Sequence, residues 1–160
     1  MSGKGKYDQY IHHPPHLRLS MKSDGMVVFD GLMINHQQLG YPLTLGLQFV
    51  RRPFRGDNPC HTHNFHEFLA WYSGNPEDPE EFEAEVVLCF GPEMEKHVFT
   101  RPTLVHLPPG LPHCPLEITR VDKPIIQVEI MLAGAEGTRE PYFEQDKDFD
   151  PHKVMNFEVI

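Results

Sequence analysis

Two short segments hold the residue types that can do chemistry. The first runs His61-Thr62-His63-Asn64-Phe65-His66-Glu67 and, after six further residues, reaches Gly74. The second runs Pro108-Pro109-Gly110-Leu111-Pro112-His113. Side chains alternate across a strand, so residues an even number apart share a face. His61, His63, Glu67 and Trp71 share one parity; His66, Phe68, Ala70 and Tyr72 share the other. Gly110 can turn the chain, and His113, Pro115 and Glu117 then lie on one face of the run that follows. If both faces line the inside of one barrel, His61, His63, Glu67 and His113 converge. Neutral imidazoles and a carboxylate suit one divalent ion of iron, manganese, nickel, copper or zinc. Glu67 is either a direct ligand or the acceptor that orients an imidazole. Cys60 and Cys114 neighbour two of these histidines, and strand parity turns both away from the ion, as small buried hydrophobes.

These segments resemble the two signature motifs of the cupin superfamily. The first matches His-x-His, three residues, Glu, six residues, Gly; the second matches Pro-x-Gly-x-x-His. The family pattern goes on through three residues to Asn, where this chain has Glu117. The resemblance implies an all-β fold, a double-stranded β-helix (jelly-roll) barrel with the ion inside it. It implies one divalent transition metal per chain, Fe2+ first, with Mn2+, Ni2+, Zn2+ or Cu2+ as alternatives. The stretch between Gly74 and Pro108 is longer than in the family's shortest forms, which predicts an extended hairpin there.

The elements that must position these residues are legible as short strands between turn signals. Strands are expected at Met26 to Ile34 with a turn near Asp30-Gly31, Thr44 to Arg51, Glu67 to Tyr72 and Phe82 to Phe90. Further strands are expected at Lys96 to Thr100, Thr103 to Leu107, His113 to Arg120 and Ile125 to Leu132. Residues 1–20 read as an N-terminal arm, 21–133 as the barrel, and 134–160 as a tail that packs on the barrel or on a partner. Sixteen prolines and twelve glycines in 160 residues fit many turns and exclude a helical bundle.

The formal charge of −9 is uneven, with Glu77, Asp78, Glu80, Glu81, Glu83 and Glu85 crowded together. Such a surface repels phosphate backbones, so no nucleic acid is expected as a partner. No run reaches the length of a membrane span, and no membrane partner is expected. Three cysteines without CxxC spacing argue against a disulfide framework, and the expected compartment is the cytoplasm.

Around the ion, Arg51, Phe65 and Trp71 are the candidate substrate contacts. Arg51 stands in the one basic cluster near a motif, with Arg52 and Arg55, and an arginine there can clamp a carboxylate bidentately. Glu67 and Glu117 are the candidate catalytic carboxylates. Gln127 and Glu129 are further candidates for an inner polar group, and Glu117 ranks above them because it shares parity with His113. His66-Glu67 opens like HExxH, but Ala70 holds the place of the second histidine, which excludes that motif. The function expected is a metal-dependent enzyme acting on a small organic molecule, with iron-dependent dioxygenation of an organic acid or aromatic as the first reading. The alternatives are a redox-neutral lyase or isomerase and a non-catalytic ligand-binding barrel. Outward-facing Phe68 and Tyr72, with the arm and the aromatic tail, predict a homodimer.

Overall fold

In the computed structural model, which describes residues 5–56 and 58–160, the alternating segments become strands of two antiparallel sheets. In chain order these are β1 (His16–Met21), β2 (Val27–Ile34), β3 (Thr44–Val50), β4 (Phe54–Arg55), β5 (His61–His63), β6 (Glu67–Ser73) and β7 (Ala84–Phe90). They continue as β8 (Glu95–Phe99), β9 (Thr103–Leu107), β10 (His113–Val121), β11 (Ile125–Met131), β12 (Arg139–Pro141) and β13 (Met155–Val159). Two single-turn helices, α1 (His36–Leu39) and α2 (Pro151–Val154), sit in the connections. One sheet has the order β13-β1-β2-β3-β11-β6-β9; the other has β12-β5-β10-β7-β8, with β4 also paired to β10. This is an all-β jelly-roll barrel. Among the described residues no helix is long and apolar enough to cross a membrane.

The register sorts side chains into layers along the barrel axis. Inward from β6 and β11, Ser73 lies opposite Ile125, Trp71 opposite Gln127, Leu69 opposite Glu129, and Glu67 opposite Met131. One end is therefore a closed apolar plug built on Trp71, Leu88, Leu107, Ile118 and Ile125, each no more than 1% exposed. Polar side chains begin with Gln127 in the layer of Trp71 and continue toward the other end with Glu129 and then Glu67. The plug is the rigid floor on which a site can be built, since close-packed interiors deform little.

Two expectations need correction. The turn near Asp30-Gly31 does not occur: β2 runs through both residues, and β1 pairs with it on either side. Gly31 serves close approach instead, because a Cβ there would lie 2.1 Å from the Leu47 carbonyl oxygen of β3. The arm is not separate from the barrel, and the tail packs on the barrel as strands. Residues 16–21 form β1 and residues 155–159 form β13, and these two pair along their length. Residues 139–141 form β12 beside β5. The period-2 signal was weak in each because these strands, at or next to sheet edges, alternate polar and apolar residues imperfectly and are only partly buried.

Candidate metal centre

The four expected ligands arrive from both sheets. β5 lies between β12 and β10, so His61 and His63 sit inside the six-stranded sheet, and His61 is directly opposite His113 of β10. Glu67 comes from β6 of the facing sheet. All four are buried, between 2% and 8% exposed. Gly110 of the second motif donates its backbone N–H to the His63 carbonyl, which ties the two motif loops together.

Backbone carbonyls set the imidazoles. Nδ1 of His61 lies 2.8 Å from the Pro59 carbonyl oxygen, and Nδ1 of His113 lies 2.9 Å from that of Leu111. A carbonyl only accepts, so each Nδ1 carries the hydrogen and each Nε2 presents a bare lone pair. The His113 lone pair points at Oε2 of Glu67, 3.2 Å away, and His63 Nε2 lies 3.1 Å from the same oxygen. That oxygen is buried and has no hydrogen-bond partner. Lone pairs converging on a buried carboxylate repel unless a cation lies among them. The spacing is that of neighbouring ligands around an ion with bonds of roughly 2.1–2.3 Å. His61 joins His113 and Cys114 in a second, overlapping group whose ligand atoms lie within 4.8 Å of one another. The residues present therefore fit a divalent transition metal.

The electrostatics agree. Burial, then the Arg139 guanidinium, holds His61 down at about 3, so it is neutral and free to ligate. Burial acts to raise Glu67, and it is held below the usual carboxylate range where hydrogens, or a cation in their place, face it from the side of His113 and His63. Burial, reinforced by the negative charge of Glu67, raises Glu129 to about 8. The pocket thus pairs an ionised carboxylate with a protonated one. Arg139 approaches from β12, its Nη2 3.1 Å from His61 Nδ1. Leu19, Phe29, Leu116, Met131 and Phe157 supply apolar wall to the same cavity.

Several candidate residues lie elsewhere. Glu117 is not in the cavity: β10 is irregular between His113 and Leu116, and Cys114 has a positive φ of 77°. The alternation slips there, so Leu116 lines the pocket and Glu117 pairs with Arg55 at 3.0 Å. The same slip corrects the placing of Cys114, whose thiol faces His61 and His113 and is pushed up by burial. Cys60 is buried beneath Phe143 and Asp146 of the tail, outside the cavity. Trp71 shares the inward face but lies one layer too deep. Its indole N–H donates to Gln127 at 2.7 Å and its ring stacks near Phe99. Phe65 stacks on the His63 ring at 4.4 Å, bracing a ligand rather than lining the pocket. Arg51 is exposed and belongs to a different cleft. The pocket's guanidinium is Arg139, which sequence reasoning missed because it stands in the segment taken for a tail. Glu129 was among the candidates but ranked below Glu117; its parity with Ile125 was the usable signal.

No family model matches the chain, and no curated protein matches it. Solved structures similar to it include a sugar phosphate isomerase of the cupin superfamily from Silicibacter pomeroyi. That match has 14% identity, covers 81% of this chain and 75% of that one, and has a TM-score of 0.48. Another is a mutant of Bacillus subtilis oxalate decarboxylase, with 14% identity, coverage of 71% and 28%, and a TM-score of 0.46. A third is hazelnut (Corylus avellana) vicilin, with 11% identity, coverage of 83% and 36%, and a TM-score of 0.48. The chain thus spans about a third of the length of the last two.

Proposed function

We propose that this chain is a metal-dependent enzyme acting on a small organic acid, with one ion held by His61, His63, Glu67 and His113. The observation that carries the reading is the buried, unpartnered Glu67 oxygen between His63 and His113. When bound, a divalent ion with this ligand set would supply Lewis acidity and open positions for substrate or dioxygen. The chain's own residues supply the rest. Arg139 places a positive charge beside the ligands, fit to pair with a substrate carboxylate. The apolar wall excludes water and accommodates a hydrocarbon portion. Glu129 holds a proton within the cavity.

Iron-dependent dioxygenation of an organic acid or aromatic is the first reading of the reaction. The protonated Glu129 favours a second, redox-neutral reading, as lyase or isomerase, because such reactions need a proton delivered to substrate. A homodimer belongs to the same reading. The outward face of the seven-stranded sheet, with Leu32, Leu47, Phe49, Tyr72 and Leu104 all at least 36% exposed, supports it.

The test begins with metal analysis of protein purified without chelator. One ion per chain is expected, reduced at least tenfold in occupancy for His113→Ala under limiting metal, with the fold kept (about 10–100-fold in affinity even for an outer partner). Full occupancy in His113→Ala would overturn the metal assignment. Oxygen uptake against a panel of carboxylic acids and phenols then separates the readings: uptake marks the dioxygenase, and substrate loss without uptake marks the lyase or isomerase.

A further inference from the structure

We propose that the cleft where β2 parts from β3 is a second binding site, separate from the metal pocket, for a small oxyanion such as a phosphate or a hydroxy-carboxylate. β2 and β3 pair only from Gly31–Ile34 against Leu45–Gln48. Before Gly31, β2 stays with β1, and beyond Gln48, β3 stays with β11 as far as Val50. The two strands fork, and the fork opens a cavity bounded by Arg18, Asp30, Gln48, Arg51 and Arg52.

Two polar atoms at this fork are buried and unpartnered: Oε1 of Gln48 and Nε of Arg18. Gln48 is only 2% exposed, and Gly31, which faces it across the ladder, has no side chain to cover it. A buried polar atom without a partner is costly, so such atoms mark a place where something polar is meant to sit. The charge is equally pointed. Three guanidiniums meet one carboxylate in a chain of net charge −9. Asp30 is taken up by His16 and, at 3.5 Å, by Arg18. Among the described residues Arg51 and Arg52 enter no ion pair.

The groups define the ligand. Guanidinium N–H groups require acceptor oxygens, in the planar or tetrahedral array that carboxylate and phosphate present. Gln48 Oε1 requires a donor, which a hydrogen phosphate or an α-hydroxyl provides. The site is distinct from the metal pocket, because Val28, Phe29 and Phe54 line both cavities and stand between them.

The experiment is calorimetric titration of the purified full chain with inorganic phosphate and, separately, with lactate and acetate. Saturable binding of phosphate or lactate is expected, with acetate weaker because it lacks the donor. Arg51→Ser/Arg52→Ser should weaken it by about tenfold or more, the scale of a lost charge-assisted hydrogen bond. Both residues are exposed, so the variant should keep the wild-type circular dichroism. Gln48→Met should erase the preference for lactate over acetate. Arg101→Ser, which alters a remote turn, should leave binding unchanged. Absence of saturable binding, or equal binding by the double variant, would overturn the proposal. Loss on Arg139→Ser instead would place the anion beside the metal ligands and overturn it too.

Discussion

Glu67 joins the two sheets chemically: its carboxylate crosses from β6 to meet imidazoles carried by β5 and β10. Trp71, four residues on, shares its face yet belongs to the floor. This separation can be tested. Trp71→Phe removes the indole N–H that Gln127 accepts and leaves a buried oxygen unpaired. The expected cost is about 1–3 kcal/mol in a urea titration, with metal content per folded chain unchanged. A loss of metal out of proportion to the loss of fold would show that Trp71 supports the pocket directly. At this scale the convergence of His61, His63, Glu67 and His113 was legible because spacing places them: even separations within a strand and one turn glycine suffice. Cys114 and Glu117 were not, because an irregularity in β10 between His113 and Leu116 exchanges the faces of the residues after it, and a second between Ile118 and Arg120 shifts them again. Arg139 was not, because nothing in a short polar strand marks which pocket it will reach.

At the scale of elements, the first motif's glycine shows why that position tolerates no side chain. A Cβ on Gly74 would lie 2.2 Å from the Pro124 carbonyl oxygen, where the chain leaves β6 beside the start of β11. Gly74→Ala should therefore destabilise by about 1–3 kcal/mol or more through overpacking, read as a lower urea midpoint. An unchanged midpoint would mean the backbone there yields freely. The β1–β2 pair carries a pH-sensitive contribution. The contact with His16, aided by Arg18 and opposed by modest burial, lowers the Asp30 pKa below its usual 3.8. A depressed carboxyl stabilises the fold when ionised, so its contribution is present above about pH 4 and is lost as pH falls below that. Because the groups are partly exposed, it should not exceed about 1 kcal/mol. Asp30→Asn should flatten this part of the stability profile, and a slope identical to wild type would exclude the contribution. The eight strands expected from alternation all form, their ends within about two residues. The strands that sequence did not announce, β1, β4, β5, β12 and β13, are short or lie at or next to sheet margins, where burial imposes little pattern.

For the whole molecule, the unresolved matter is the outer face of the seven-stranded sheet. The outward positions of β3 are Leu45, Leu47 and Phe49, and they adjoin Ile130, Val128 and Ile126 of β11. Those in turn adjoin Phe68, Ala70 and Tyr72 of β6, and then His106 and Leu104 of β9. None of these positions holds Asp, Glu, Lys or Arg. Three strand spacings of ~4.8 Å and two outward steps of ~6.7 Å enclose roughly 190 Å² between Cα positions, and side chains at the margins widen the patch further. A contiguous apolar surface of a few hundred Å² marks an interface. A second copy is the natural cover, because a two-fold axis through the patch sets the same apolar rows against each other. Light scattering at micromolar concentration should report a dimer. Leu47→Glu places a charge on the patch twice per dimer and should yield a monomer. Its metal content should match wild type, since Leu47 faces away from the barrel interior. A wild-type monomer would remove the dimer, and a dimeric Leu47→Glu would move the interface to another surface.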